Sequence, residues 1–241
     1  MEEQSFKKKS TIEEIRTRFD NDVERFSNLD TGQLTIIDAP VSLDLITSAA
    51  SAVNPEATHV LDIGCGAGNY TLKMLEKIPD LNCTLIDLSM PMLERARERV
   101  SAATAGTVEI IQTDILVADL PEHQYDIVLA AAVLHHLRED KDWETVFNHI
   151  YRALKPGGSF WISDLINHHP QPLNRLFGNR YAHYLEELGG AAYRSKVLDY
   201  IDAEDSPRTL SYQLDLLKST GFHYTEILHK NGCFASFGGV K

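Results

Sequence analysis

Three glycines alternate in Leu61-Asp62-Ile63-Gly64-Cys65-Gly66-Ala67-Gly68-Asn69, between an apolar run and a helical pattern. Glycine lets the backbone turn tightly and lets a ligand approach where a side chain would obstruct it. A turn of this kind serves several nucleotide-like ligands, and the residues around it separate them. A dinucleotide site asks for G-x-G-x-x-G, whose last glycine packs the helix over a pyrophosphate. Here the spacing is G-x-G-x-G, and Asn69 stands where that last glycine is needed. An NTPase loop would end in Gly-Lys-Ser/Thr, which is absent. Asp87 closes the next apolar run, 19 positions after Gly68. A carboxylate there accepts hydrogen bonds from both hydroxyls of a ribose and repels a 2′-phosphate.

Other side chains invite different chemistry. His135 and His136 follow Leu134 at the end of the fourth apolar run, where parallel-sheet proteins place their ligand crevice. Either is a candidate catalytic base, because an imidazole titrates near neutrality. Adjacent residues point different ways, so at most one is expected to face a substrate. No C-x-x-C, H-E-x-x-H or comparable spacing links His149, His168, His169, His183 and the three cysteines, so no metal is expected. Cys65, close to a helix N-terminus, is a candidate for a lowered thiol pKa, against the plainer reading of a small side chain tolerated in a loop.

The elements that must position these residues show in the hydrophobic rhythm. Ser10 and Glu13 have the spacing of a capping box, and Ile12, Ile15, Phe19, Val23 and Phe26 then form one helical stripe. A loop with Asp30, Gly32 and Pro40 leads to a second helix that stops near Pro55. From Thr58 onward, short apolar runs (59–63, 83–87, 108–111, 126–130, 159–163) alternate with helical patterns. That alternation predicts a parallel sheet covered on both faces. Residues 167–206 interrupt it as a helical cap. Two last runs joined by Asn231-Gly232 read as an antiparallel hairpin at the sheet edge.

The 241 residues, 43% hydrophobic and 24% charged, exclude disordered and fibrous classes. A net charge of −12 argues against gripping nucleic acid through its phosphates. No apolar stretch has the length of a membrane span or the form of a signal peptide. Cys65, Cys83 and Cys233 form no pairing pattern, which fits a reducing cytoplasm. The expected partner is a small molecule.

Together, residues 60–69, Asp87 in Leu85-Ile86-Asp87-Leu88-Ser89, Asp114-Ile115, residues 125–137 and Leu154-Lys155-Pro156-Gly157-Gly158 resemble the class I S-adenosylmethionine-dependent methyltransferases. The resemblance covers residues 58–163. It implies a Rossmann-like, doubly wound α/β fold with a seven-stranded mixed sheet, S-adenosylmethionine as cofactor and S-adenosylhomocysteine as product. In the family's scheme Gly64, Cys65 and Gly66 lie against the methionine part, in the loop that Gly68 completes, and Asp62 organises that loop and its contact to the ammonium. Asp87 holds the ribose, Leu88 and Met92 flank the adenine, Asp114 and Ile115 read the adenine edge, and Ala131 offers its carbonyl to the ammonium. The expected organisation is an N-terminal helical lid over 1–57 and a cofactor-binding domain over 58–241, with the cap inserted after the fifth strand.

A narrower resemblance joins Tyr193-Arg194-Ser195-Lys196, residues 210–222 and residues 231–237 to the carboxy-S-adenosylmethionine synthase group. That group uses prephenate, and its pattern implies that Arg194 binds the extra carboxylate. It also implies a homodimer. Ala39 and Ala131 stand where the group has a tyrosine and an asparagine. The favoured expectation is therefore methyl transfer to a small-molecule acceptor. The alternatives are the carboxylated-cofactor synthase, a non-catalytic S-adenosylmethionine-binding protein and a nicotinamide oxidoreductase.

Overall fold

Apolar runs with no polar alternation can be buried on both faces, and all the strands they form but the one from the run at 108–111 lie inside the chain's sheet. The computed structural model describes residues 9–241, so the polar start over 1–8 lies outside the described residues. Five parallel strands, β1 (His59–Ile63), β2 (Asn82–Asp87), β3 (Val108–Gln112), β4 (Tyr125–Ala131) and β5 (Leu154–Leu165), are followed by the hairpin β6 (Tyr224–Asn231) and β7 (Phe234–Val240). The sheet order is β3-β2-β1-β4-β5-β7-β6, with β7 antiparallel to both neighbours. The seven-stranded mixed sheet is as expected, and so is the hairpin, whose strand β6 forms the edge. The strand order reverses beside β1. Ile63 pairs with Ile86 on one side and Ala130 on the other, so the loops leaving β1, β2 and β4 open at one end of the sheet.

Helices cover both faces. On one lie α4 (Ala39–Val53), α5 (Asn69–Leu75) and α6 (Met90–Ser101); on the other lie α7 (Asp140–Ala153) and α9 (Leu210–Thr220). In α7 the residues Trp143, Val146, Phe147, Ile150 and Ala153 form one buried stripe at helical spacing. The hydroxyl of Ser89 caps α6 by accepting from the Met92 N–H at 3.3 Å. The cap is α8 (Gln171–Glu204), a long helix broken at Gly190, where φ is 81°. Beneath it Leu165, Tyr181, Leu185, Val197 and Phe234 form a small separate core.

The N-terminal segment departs from expectation. Its single helix is two, α1 (Ile12–Asp20) and α2 (Val23–Ser27), followed by a short turn α3 (Leu29–Gly32) where a loop was expected. Phe19 and Phe26 still meet across the break, their ring centroids 5.7 Å apart. The capping box is formed by Thr11 and Glu14, one residue on from Ser10 and Glu13. Both pairs have the right spacing, and tertiary contacts choose between them. The Ser10 N–H donates to Ala203 O in the cap, and the Ser10 carbonyl accepts from Arg138, which holds Ser10 outside the helix.

Candidate functional site

The loop after β1 is shaped by its own backbone. Gly64, Gly66 and Gly68 have φ of 64°, 51° and 82°, a region that L side chains rarely adopt. At Gly64 a Cβ would also lie 2.5 Å from Val133 Cγ2, because the loop after β4 presses against this one. At Gly66 a Cβ would meet nothing within 4 Å and would point into the cleft. Asp87, at the end of β2, fastens the arrangement. One carboxylate oxygen accepts from the Gly66 N–H and the other from the Ser89 N–H, each at 2.9 Å. Burial pushes its pKa up, and those N–H donors oppose the shift.

The cleft bounded by these loops has a volume of about 280 Å³. Most of the residues singled out from the sequence meet there: Gly64, Cys65, Gly66, Asp87, Leu88, Met92, Asp114, Ile115 and Ala131 all line it. The carboxylates of Asp87 and Asp114 in this largely apolar hollow, which Asp142 also borders, suit a ligand with a diol and an amino-bearing planar ring.

Two of the predicted residues stand behind the wall. Asp62 is almost fully buried and accepts the Thr71 hydroxyl at 2.7 Å, bracing the strand against α5. Burial pushes its pKa up to about 7, opposed by the bonds from Thr71. Gly68 starts α5, where a Cβ would lie 3.1 Å from Val100 and 3.3 Å from Ala96 of α6. Arg194 is elsewhere: it lines no part of the cleft and pairs with Glu186 across the kink in α8. The Cys65 thiol is pushed well up by burial, with Asp87 and Asp62 adding to the effect, so a reactive thiolate is not what the loop provides.

A smaller cavity of about 90 Å³ adjoins the cleft under the cap. Phe19, Phe26, Gly32, Ile36, Ala132 and His136 line both. The N-terminal helices thus roof the junction, and the loop after β4 makes its floor. Ala132 adopts a positive φ of 53°, a strained backbone for a residue with a side chain. Sequence reasoning missed Phe19 and Phe26 as lining residues, because an amphipathic stripe reads the same over a core or a cavity, and it missed Ile36, which fell in the expected loop. Tyr181, Tyr200 and Phe234 line only the smaller cavity.

The strand-end histidines stand at this junction. His135 Nδ1 is hydrogen-bonded to Asp164, a residue of β5 that the motifs did not reveal. The other oxygen of Asp164 accepts the N–H of Leu134 at 2.8 Å and that of His135 at 3.2 Å. Asp205, just past α8, lies 3.7 Å from His135 Nε2 and 3.3 Å from His136 Nδ1. Burial disfavours a charged His135, but Asp164 and Asp205 outweigh it and raise its pKa to about 9. His136 is held well below the usual range by burial, then by His135 and Arg18. Burial raises Asp205 to about 6, against the pull of His135. Of the two histidines, His136 borders both cavities and His135 the smaller one.

Comparison with known proteins agrees with this geometry. Residues 60–158 match the family described as "Methyltransferase domain". That match, with methyltransferases among the similar proteins, supports an S-adenosylmethionine-dependent methyltransferase, the enzyme class and cofactor that the motifs implied. The chain is similar to demethylmenaquinone methyltransferase of Listeria welshimeri, 29% identical over 191 residues, 77% of this chain and 79% of that protein. It is also similar to carboxy-S-adenosyl-L-methionine synthase of Shewanella woodyi, 28% identical over 193 residues and 78% of each chain. Among solved structures, Burkholderia thailandensis 1,6-didemethyltoxoflavin-N1-methyltransferase superposes with a TM-score of 0.63 at 18% identity, covering 94% of this chain and 87% of that one. Human N-acetylserotonin methyltransferase superposes at 0.62 with 15% identity, covering 97% and 63%.

Proposed function

We propose that the cleft holds S-adenosylmethionine and that the adjoining cavity holds a small planar acceptor for its methyl group. The observation that carries this reading is the shared wall: Phe19, Phe26, Ile36, Ala132 and His136 border both hollows, so occupants of the two would touch there. When bound, the cofactor supplies an electrophilic methyl on a sulfonium. The chain's own residues bind, orient and exclude water. Asp87 offers carboxylate oxygens to a ribose, Asp114 accepts from the adenine amine, and Leu88, Met92 and Ile115 flank the ring. Ala131 turns its carbonyl to the ammonium, and Gly66 leaves room for the chain between. Holding donor and acceptor face to face converts a bimolecular step into an effectively unimolecular one.

The smaller cavity sets the acceptor class. Phe19, Phe26, Tyr181, Tyr200 and Phe234 make an aromatic enclosure suited to one flat ring system. Two similar proteins carry names with such acceptors, a demethylmenaquinone and a 1,6-didemethyltoxoflavin, which supports the same class here. Carboxy-S-adenosylmethionine synthase is the second reading, supported by similarity to that group. It needs a cation for the added carboxylate, and Arg194 is engaged with Glu186 outside both cavities.

Calorimetry with S-adenosylhomocysteine tests the cofactor site directly. We expect one-to-one binding that Asp87→Ala weakens by about 10–100-fold, the loss of charge-assisted hydrogen bonds. No uptake by the wild-type chain would overturn the reading. Mass spectrometry of the small molecule retained by the native protein separates the plain from the carboxylated cofactor. Release of S-adenosylhomocysteine from S-adenosylmethionine with a panel of phenols, naphthols and heteroaromatic amines then identifies the acceptor.

A further inference from the structure

His135, His136 and Asp205 bring three metal-ligating side chains to one point on the wall of the smaller cavity, and their chemistry is not used by the methyl transfer itself. We propose that His135 Nε2, His136 Nδ1 and Asp205 Oδ1 bind a divalent transition cation of the zinc or cobalt type. The ligand atoms all lie within 4.8 Å of one another, with separations from Asp205 Oδ1 of 3.7 Å to His135 and 3.3 Å to His136. Two ligands about 2.0–2.1 Å from a tetrahedral ion stand about 3.3–3.4 Å apart, so a small side-chain adjustment closes the set.

Three further features separate this cluster from an ordinary buried ion pair. First, the Asp205 side chain is only 2% exposed, yet among the described residues neither its Oδ1 nor His136 Nδ1 has a hydrogen-bond partner. Buried acceptors without partners are costly, and a cation satisfies both at once. Second, the Nδ1–H of His135 donates to Asp164, whose other oxygen is tied to two backbone N–H groups. This is the carboxylate–histidine–metal relay that fixes the tautomer and leaves Nε2 free to ligate. Third, all three ligands line the smaller cavity, so the ion keeps a face open to it. Three protein ligands and one open position are the pattern of a working site, whereas structural sites are closed. Soft thiolates are absent from the set, and imidazole with carboxylate suits zinc, cobalt, nickel or iron(II) over magnesium or calcium. Sequence spacing concealed the set because Asp205 stands 69 positions after His136. Under the methyl-transfer reading, and resting on it, the open position takes an oxygen or nitrogen donor of the acceptor and orients it at the shared wall.

The test uses the untagged full chain, freed of metal by chelator and dialysed against zinc chloride or cobalt chloride. Elemental analysis is expected to find one equivalent retained. The cobalt form is expected to show the intense visible absorption of a four-coordinate nitrogen–oxygen site. Asp205→Asn and His136→Gln should weaken zinc binding at least tenfold. Asp164→Asn, which takes the charge out of the relay and leaves the three ligands in place, should weaken it by about 10–100-fold. His183→Gln, an exposed imidazole beside Glu187, should leave it unchanged. Retention well below one equivalent, retention indifferent to Asp205 and His136, or cobalt bound without that absorption would each overturn the proposal. The cobalt spectrum needs no variant, so a misfolded substitution leaves the question decidable. S-adenosylhomocysteine binding measured on the same samples keeps the two readings apart: cofactor uptake without metal sinks only this inference, and metal without cofactor uptake sinks only the proposed function.

Discussion

The cofactor cleft and the cavity under the cap share a wall but are assembled in different ways. The floor of the cleft, over 63–142, is made by loops that leave adjacent strands of one parallel sheet, and residues between Ile12 and Ile36 close it from the N-terminal helices. Its shape is largely a matter of backbone: three glycines with positive φ, and one carboxylate tied to two N–H groups. The smaller cavity draws its wall from residues as far apart as Arg18 and Phe234, and it is shaped by side chains. Its roof is held by long-range pairs. Arg18 engages Glu204 at the end of α8, Arg138 reaches the Ser10 carbonyl, and the Tyr181 hydroxyl donates to Thr35 O at 2.9 Å. One scaffold thus carries a cleft whose floor is shaped by backbone beside an enclosure shaped by side chains from distant parts of the chain.

The sharpest way to break this contrast is at the glycines. Gly64→Ala puts a methyl 2.5 Å from Val133 at a positive φ and is expected to cost about 2–4 kcal/mol of stability, read by denaturant unfolding. Gly66→Ala has open space and should cost only the backbone strain, about 1–2 kcal/mol, while obstructing cofactor uptake in calorimetry. Equal losses from the two would contradict the division between a packed and an open side of the loop.

Asp62 offers an effect of the next size. Burial raises its pKa from 3.8 to about 7, so the folded state prefers its neutral form. Its contribution to stability is complete below the unfolded pKa and is lost as pH climbs through about 7. Between about pH 4 and 7 the wild-type chain should lose on the order of a few kcal/mol relative to Asp62→Asn, which keeps an acceptor for Thr71 and does not titrate. Parallel stability–pH curves for the two proteins would count against a frame that rests on this buried carboxyl.

The smallest expected effect is at Arg194. It stands half-exposed beside Glu186, and such pairs contribute about 0–1 kcal/mol. Arg194→Ala should leave S-adenosylhomocysteine affinity within about twofold and stability nearly unchanged. A large loss of binding would move Arg194 into the site and favour the carboxylated-cofactor reading.

These outcomes bear on how much was visible before folding. The alternation of apolar runs and helices predicted the sheet closely: the run at 59–63 is β1 (His59–Ile63), and the hairpin turn is Gly232-Cys233, one residue on from the expected Asn231-Gly232, because Asn231 pairs with Phe234. The glycine loop and Asp87 could be read because each sits at a strand end, where a parallel sheet places its ligand crevice, and Asp114 came through the family resemblance. The helix start was off by one residue because two caps had equal local merit, and contacts with Ala203 and Arg138 chose between them. Phe19 and Phe26 were legible as part of an apolar stripe, but not as the lining of a cavity, and Ile36 fell in the expected loop.

Local chemistry, which acts between residues a few positions apart, therefore dictated the strands, the bend after β1 and the acidic ends of β2 and β3. Only tertiary packing could set His135 and His136 against Asp164 and Asp205, or turn Arg194 away towards Glu186. Side chains tens of positions apart meet only once a sheet and its cap have closed around them, and no periodicity in the chain records that meeting.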